Sequence, residues 1–133
     1  MKIRFKPAAS LKRMPKAGGV TVGYWRWTRK FNCGDLHIHY IKMKSWRFNL
    51  AVIGHELIEA FYCWIFMITT EECDAWDIAH SENTEDHAFD KECPYYWGHR
   101  FGTIFEYIFI YGSFGNWTKY DQECNKVMGI SNA

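Results

Sequence analysis

The sequence lacks the cysteine spacing of a zinc ribbon or of a disulfide-stapled domain. Its five cysteines are Cys33, Cys63, Cys73, Cys93 and Cys124. They form no Cys-x-x-Cys pair, and an odd number cannot be fully paired within one chain. We therefore expect reduced, mostly buried thiols in a cytosolic protein.

No segment has the pattern of a secretory signal or of a membrane span. The first ten residues alternate charged and apolar side chains, which predicts a mature chain that starts near Met1. The longest apolar stretch, residues 49–69, carries His55, Glu56 and Glu59 at its centre, where charge is most costly in lipid. These absences predict a soluble, cytoplasmic protein without a membrane partner.

Aromatic side chains are abundant, and charge is unevenly distributed. Phe, Tyr and Trp make up 19% of the 133 residues, which predicts one domain, residues 1–133, with an aromatic core. Residues 1–47 hold twelve Lys or Arg and one acid, a net charge of +11, whereas residues 48–133 carry a net −10. This asymmetry is compatible with a nucleic-acid-binding face or with two halves that attract each other, and we favour the second interpretation.

Residues 1–45 form a basic part that predicts a small antiparallel β-sheet. Residues 2–6, KIRFK, alternate basic and apolar side chains in the manner of a strand. Residues 20–28, VTVGYWRWT, and residues 36–43, LHIHYIKM, are rich in β-branched and aromatic residues and flank the turn-like NCGD. This arrangement predicts a β-hairpin.

Residues 46–133 form the helical part. Apolar residues recur at three- and four-residue steps from Trp46 to about Thr69, which predicts a buried amphipathic helix. Thr69 and Glu72 have the spacing of a capping box, which predicts a second helix that ends near His80.

Two further helices are predicted after a polar, aperiodic loop at residues 81–93. Pro94 is suited to the first position of a third helix, and Gly112 is suited to its end. A short helix covers residues 117–128. Strands followed by three to four helices indicate the α+β class.

The stretch GHELIEA contains the candidate metal-binding residues. His55 and Glu59 are four residues apart, so on a helix they project from one face and can bind one ion. Glu56 occupies the position of the general base in HExxH metallohydrolases. Because a glutamate replaces the second histidine of that motif, a further ligand must come from elsewhere.

The third predicted helix supplies that ligand. His99 with His55 and Glu59 gives two histidines and one carboxylate, the ligand types of catalytic zinc sites, although Mn²⁺ or Fe²⁺ would accept the same set. Glu106 is expected either as a fourth ligand or as the partner of the other ring nitrogen of His99. A satisfied polar core network without metal is the alternative.

The segment YWRW offers a different function. Trp25, Arg26 and Trp27 interleave aromatic and basic side chains, the composition of a surface that stacks single-stranded nucleic acid. Core packing is the interpretation we favour for them. His37 and His39 share one face of their strand, and we interpret them as surface residues.

Four stretches, SWRFNLAVIGHELIEA, EECDAWDIAH, CPYYWGHRFGTIFE and GNWTKYD, resemble a group of small bacteriophage-encoded proteins with an HELxEA motif. The resemblance covers residues 45–121, whereas the basic first part matches that pattern poorly. It implies a metallopeptidase-like site, a zincin-like architecture and a location in the host cytoplasm. It marks His55, Glu56, Glu59, Asp77, Tyr95, His99, Glu106, Trp117 and Tyr120.

Together these residues predict a zinc-dependent hydrolase that acts on a peptide or protein substrate. Tyr95 would stabilise an oxyanion, and Asp77 would accept a hydrogen bond behind the metal ligands. The alternative is a non-enzymatic phage accessory protein with a structural metal or polar cluster. Such a protein could bind nucleic acid through its basic sheet.

Overall fold

The computed structural model describes residues 1–9, 21–80, 90–113 and 115–128, and within them a three-stranded sheet precedes four helices. The predicted α+β class is therefore confirmed. The strands are β1 (Ile3–Ala8), β2 (Gly23–Arg29) and β3 (Cys33–Ile41). The helices are α1 (Trp46–Ile65), α2 (Thr70–Ala79), α3 (Tyr96–Gly112) and α4 (Trp117–Val127). Of the predicted loop at 81–93, residues 81–89 lie outside the described part.

The sheet is mixed, so the prediction of a purely antiparallel sheet was wrong for β1. The strand order is β1-β3-β2, in which β2 and β3 form the predicted antiparallel hairpin. β1 instead pairs in parallel with β3, with Ile3 opposite Leu36. The chain therefore passes through β2 before it returns beside β1, and such a crossover makes a parallel pair possible.

Asn32 joins the hairpin turn to the helices. The turn lies at residues 30–32, earlier than the predicted NCGD, and both Phe31 and Asn32 have positive φ angles of 60° and 55°. The Asn32 side chain donates to the Ile68 carbonyl at 2.6 Å and accepts from the Thr70 amide at 3.2 Å. These bonds hold the sheet against the corner between α1 and α2.

That corner ends α1 four residues before the predicted Thr69. Met67 has a φ of 58°, a left-handed conformation that a helix cannot continue through. Thr69 then caps α2, because its Oγ1 accepts a hydrogen bond from the Glu72 amide at 3.2 Å.

No single helix of the described residues is both long enough and apolar enough to cross a membrane. α1 and α2 taken together meet that test by length and composition only, and a bend of 116° separates them.

α3 begins at Tyr96, two residues after Pro94. A turn precedes it, since the Cys93 amide donates to Asp90 at 2.9 Å and the Tyr96 amide donates to Cys93 at 3.1 Å. α3 ends at Gly112, close to the predicted position, although Ser113 and not Gly112 is its C-cap residue. α4 follows the prediction closely, and Asn116 caps it by accepting from the Lys119 amide at 3.1 Å.

α1 packs between the sheet and α3. Trp25, Trp27, Leu36 and Ile38 of the sheet form one core cluster with Ala60 and Cys63 of α1. α1 and α3 are antiparallel, because Gly54 faces Phe105 near one end and Gly98 faces Tyr62 near the other. Glycines at these crossing points let the two helices approach closely, so that side chains from both helices meet between them.

Candidate metal site

Three of the predicted metal ligands meet between α1 and α3. Nε2 of His55 lies 3.2 Å from Oε2 of Glu59 and 3.1 Å from Nδ1 of His99. Nδ1 of His99 lies 3.0 Å from the same Oε2. These three atoms form a triangle that we call the ligand triangle.

Glu106 lies behind His55 rather than in the ligand triangle. Its Oε1 contacts Nδ1 of His55, and its Oε2 accepts a hydrogen bond from the Tyr120 hydroxyl at 2.5 Å. Both carboxylate oxygens are therefore engaged. We expected Glu106 to bind the metal or hold His99, whereas the structure places it as the partner of His55, supported by α4.

Trp25 contacts Glu59, a second predicted ligand, from the side of the sheet. Its indole Nε1 donates to Oε1 of Glu59 at 3.0 Å, which leaves Oε2 directed at the two histidines. Sequence reasoning missed this role, because nothing in the sequence connects residues 34 positions apart.

Within the triangle, His55 and Glu59 each favour the ionised form of the other. Burial lowers the pKa of His55, but the contacts with Glu106 and Glu59 outweigh this effect and hold that pKa well above its usual value. Burial raises the pKa of Glu59, but hydrogen bonds from His55 and His99 outweigh it and lower that pKa. Glu59 is therefore an anion at neutral pH.

Gly102 of α3 makes room for the His55 ring. A Cβ atom at this position would lie 2.8 Å from Cγ and 2.9 Å from Nδ1 of His55. With any other residue at this position, either the imidazole or the two helices would have to move. The close helix approach at Gly102 thus fixes the position of one predicted ligand.

The dimensions and donor types of the ligand triangle would accommodate a divalent metal ion. Tetrahedral Zn²⁺ with bonds of about 2.0–2.1 Å separates its ligand atoms by roughly 3.3 Å, close to the observed 3.0–3.2 Å. Two imidazoles and one carboxylate suit zinc and also suit manganese or iron. The residues present therefore fit a divalent ion.

Glu56, the predicted general base, lies on the side of α1 that faces β2. Its side chain is buried, and its Cγ is 3.2 Å from the position that a Cβ of Gly23 would take. Its charge contributes to the raised pKa of His55, after the larger effects of burial, Glu106 and Glu59. The carboxylate is thus near enough to the site to act on it electrostatically.

Tyr95 and Asp77 form a pair beside the site. The hydroxyl of the fully buried Tyr95 donates to Asp77, and its ring centroid is 6.4 Å from that of His99. Since a hydroxyl has one proton to donate, Tyr95 cannot also donate to an oxyanion in this arrangement. Asp77 accepts this hydrogen bond from Tyr95, and its predicted role as a hydrogen-bond acceptor behind the metal ligands stays a prediction.

The predicted stacking surface at Trp25, Arg26 and Trp27 is not formed. Trp25 and Trp27 are only 7% and 5% exposed, because strand alternation directs both indoles toward α1. Arg26 points to the other face, where it pairs with Asp74 at 3.5 Å. Both tryptophans pack in the core, which is the interpretation that we favoured from the sequence.

The outer face of the sheet is basic instead. Arg4 and Lys6 of β1 lie opposite His37 and His39 of β3. Burial and the neighbouring Lys6 lower the pKa of both histidines. Nucleic-acid binding by this part of the chain stays a prediction.

No protein-family model, curated protein or solved structure matches the chain. The resemblance to phage-encoded HELxEA proteins and the zincin-like architecture stay predictions.

Proposed function

We propose that the protein is a metal-dependent hydrolase with zinc as its preferred ion and peptides or proteins as its substrate class. One observation carries this proposal, namely the ligand triangle of His55, Glu59 and His99 with sides of 3.0–3.2 Å. The group is buried between two helices, where ionisable side chains need a compensating partner. A cation inside the triangle would be that partner for all three atoms at once.

The position of Glu106 supports a cation in the triangle. A neutral His55 would carry its proton on Nδ1, which contacts this carboxylate, and Nε2 would then present a lone pair. Nε2 faces Oε2 of Glu59 and Nδ1 of His99. Lone pairs at such distances repel each other unless a proton or a metal ion lies between them.

The same carboxylate supports a catalytic rather than a structural site. Because both oxygens of Glu106 are engaged by His55 and Tyr120, an ion in the triangle would have three protein ligands among the described residues, which would leave a fourth position for water. A divalent ion with an open position supplies a Lewis acid and lowers the pKa of a bound water. Glu56, whose charge acts on His55, is the residue that we propose to accept the proton of the attacking water.

A second candidate function follows from the charge balance of the site. Burial lowers the pKa of His55, but the contacts with Glu106 and Glu59 outweigh burial and raise that pKa. This balance is compatible with an imidazolium between two carboxylates. Such a network would tie α1 to α3 without any metal, in a protein that is not an enzyme. The metal content of the purified protein distinguishes the metal-dependent hydrolase from the metal-free network.

Elemental analysis of the tag-free protein tests the metal site. We expect about one zinc per chain in the wild type and almost none in His99→Ala, because two ligands rarely hold zinc. His37→Ala is the matched control, since this histidine lies on the outer face of the sheet and should leave the zinc content unchanged. A wild-type protein without metal after incubation with zinc would establish the polar network and end the hydrolase proposal.

Turnover of a peptide library, followed by mass spectrometry, tests the catalytic step. Glu56→Gln should reduce cleavage by about 10²–10⁴-fold, the usual contribution of a general base, with zinc content unchanged. If zinc is lost in this variant, Glu56 is a ligand and the assigned roles are wrong. If a zinc-loaded wild type cleaves no peptide, the site is structural or acts on another substrate class.

A further inference from the structure

The outer side of α3 carries a row of large apolar side chains. Trp97, Phe101, Ile104, Ile108 and Tyr111 are each between 47% and 68% exposed. They follow one another at steps of four, three, four and three residues. We call this row the α3 seam.

Steps of four and three residues are the period with which helices pack side by side. A repeat of 3.5 residues keeps one narrow stripe facing a partner helix over several turns. The opposite side of α3, with Gly98, His99, Gly102 and Glu106, faces α1. α3 therefore has two packing faces, and only the inner one is covered by the described residues.

Few charged residues lie on α3. Apart from the inward His99 and Glu106, the only charged residue of α3 is Arg100. Its guanidinium lies 5.6 Å from the ring centroid of Tyr96 and donates to the Tyr96 hydroxyl at 3.2 Å. This contact holds the cation at one end of the helix.

The exposed area suits a homodimer. With roughly 150–250 Å² for each large side chain, the five half-exposed residues present on the order of 500 Å² of apolar surface. A stable dimer buries about 800 Å² per partner, of which about 65% is apolar in homodimers. The α3 seam alone supplies about that apolar area.

We propose that the α3 seam binds the α3 seam of a second copy of this chain, in an antiparallel arrangement centred on Ile104. Antiparallel pairing aligns the helix dipoles favourably and separates the two copies of Arg100. An anionic lipid surface is the less suitable occupant. Helices that bind lipid are flanked by several Lys or Arg, whereas residues 48–133 carry a net −10.

Sedimentation velocity over a concentration series tests this interface. The wild type should dimerise, and Ile108→Asp should raise the dimer dissociation constant by about a hundredfold or more, because the charge is introduced twice per dimer. Ile78→Asp is the matched control, since this α2 residue is 49% exposed and lies off the α3 seam. Far-UV circular dichroism confirms that both variants are folded.

Cross-linking provides a second measurement in case Ile108→Asp does not fold. In a Cys33→Ser background, which removes the exposed cysteine, Ile104→Cys should give a covalent dimer with a short bismaleimide, because the two copies meet at this residue. A wild type that is monomeric at micromolar concentrations overturns the proposal, and its flotation with anionic vesicles would identify lipid as the occupant. A dimer that survives Ile108→Asp overturns it as well.

Discussion

The carboxylate of Glu106 contacts Nδ1 of His55, on the opposite side of the imidazole ring from Glu59 and His99. Tyr120 in turn donates to Glu106 at 2.5 Å. A carboxylate behind a ligating histidine fixes the ring orientation and tautomer and increases the basicity of the ligating nitrogen. Residues of α1, α3 and α4 thus together determine the direction of Nε2 of His55.

Replacing Glu106 by Gln should weaken metal binding without abolishing it. The amide keeps the shape of the side chain but removes the charge behind His55, so we expect zinc affinity to fall by about 10–100-fold. Competition with a chromophoric chelator measures this affinity. Glu71→Gln, on the exposed first turn of α2, should bind zinc like the wild type. Equal affinity in Glu106→Gln would show that this carboxylate does not act through His55.

Replacing Trp25 by Phe should destabilise the protein more than the same change at Trp27. Both indoles are buried in one cluster, but only Trp25 has a hydrogen-bond partner among the described residues, namely Glu59. Loss of a hydrogen bond to a buried charge costs about 1.5–3 kcal/mol. Trp27→Phe removes a buried N–H without such a bond and therefore controls for the lost ring volume.

Urea unfolding of the two variants gives the comparison. We expect the free energy of unfolding of Trp25→Phe to be lower than that of Trp27→Phe by about 1–3 kcal/mol. Equal values for the two would mean that the bond from Trp25 contributes nothing to stability. Zinc affinity should also fall in Trp25→Phe alone, because Glu59 loses the donor that orients it.

Local sequence patterns were sufficient for the number and order of the helices and for the pairing of His55 with Glu59. His55 and Glu59 were paired correctly because one helical turn separates them, and the end of α3 at Gly112 was read from its composition. The end of α1 was missed because Met67 adopts a left-handed conformation that its side chain does not favour. Such a conformation is imposed by packing around the corner.

Contacts between distant residues could not be predicted in the same way. Nothing in residues 3–8 specifies that β1 pairs with β3, 33 positions away, rather than with β2. The partner of Glu106 was also uncertain, since helical spacing places it on the same face as His99 but does not say which α1 residue faces it. Gly102 lets α3 approach α1 closely at His55, and this close approach makes His55 the partner of Glu106.

Gly102→Ala should damage the site, although alanine is the better helix former. The new Cβ would lie 2.8–3.0 Å from three atoms of the His55 ring, so the helices or the imidazole must move. We expect a loss of about 1–3 kcal/mol in stability and a lower zinc affinity. Gly112→Ala is the control, because no described atom lies within 4 Å of its Cβ position and the change should be neutral or stabilising by up to about 1 kcal/mol. A stabilised Gly102→Ala that retains zinc would contradict the close approach.

The pH dependence of stability should have opposite signs in the metal-free and zinc-bound protein. In the metal-free protein the pKa of His55 is raised, since Glu106 and Glu59 outweigh the effect of burial. Its stabilisation is therefore complete below the usual 6.5 and is lost as pH rises through the folded pKa. The pKa of Glu59 is lowered, so its stabilisation is present above 4.5 and is lost as pH falls. Zinc needs Nε2 of His55 without a proton, so the stabilisation by zinc should grow as pH rises.

Urea unfolding of the wild type and of Glu106→Gln, each with EDTA and with zinc across this pH range, measures both effects. His37 and His39 have pKa values lowered by burial, and they contribute a trend of opposite sign. Subtracting the Glu106→Gln values removes that trend, because both proteins contain these histidines. With EDTA, we expect the wild type to have the higher free energy of unfolding of the two proteins. This difference should shrink as pH rises above 6.5. An advantage that grows with pH in EDTA would show that Glu106 does not hold a proton on His55, and the site geometry proposed for zinc would have to be revised.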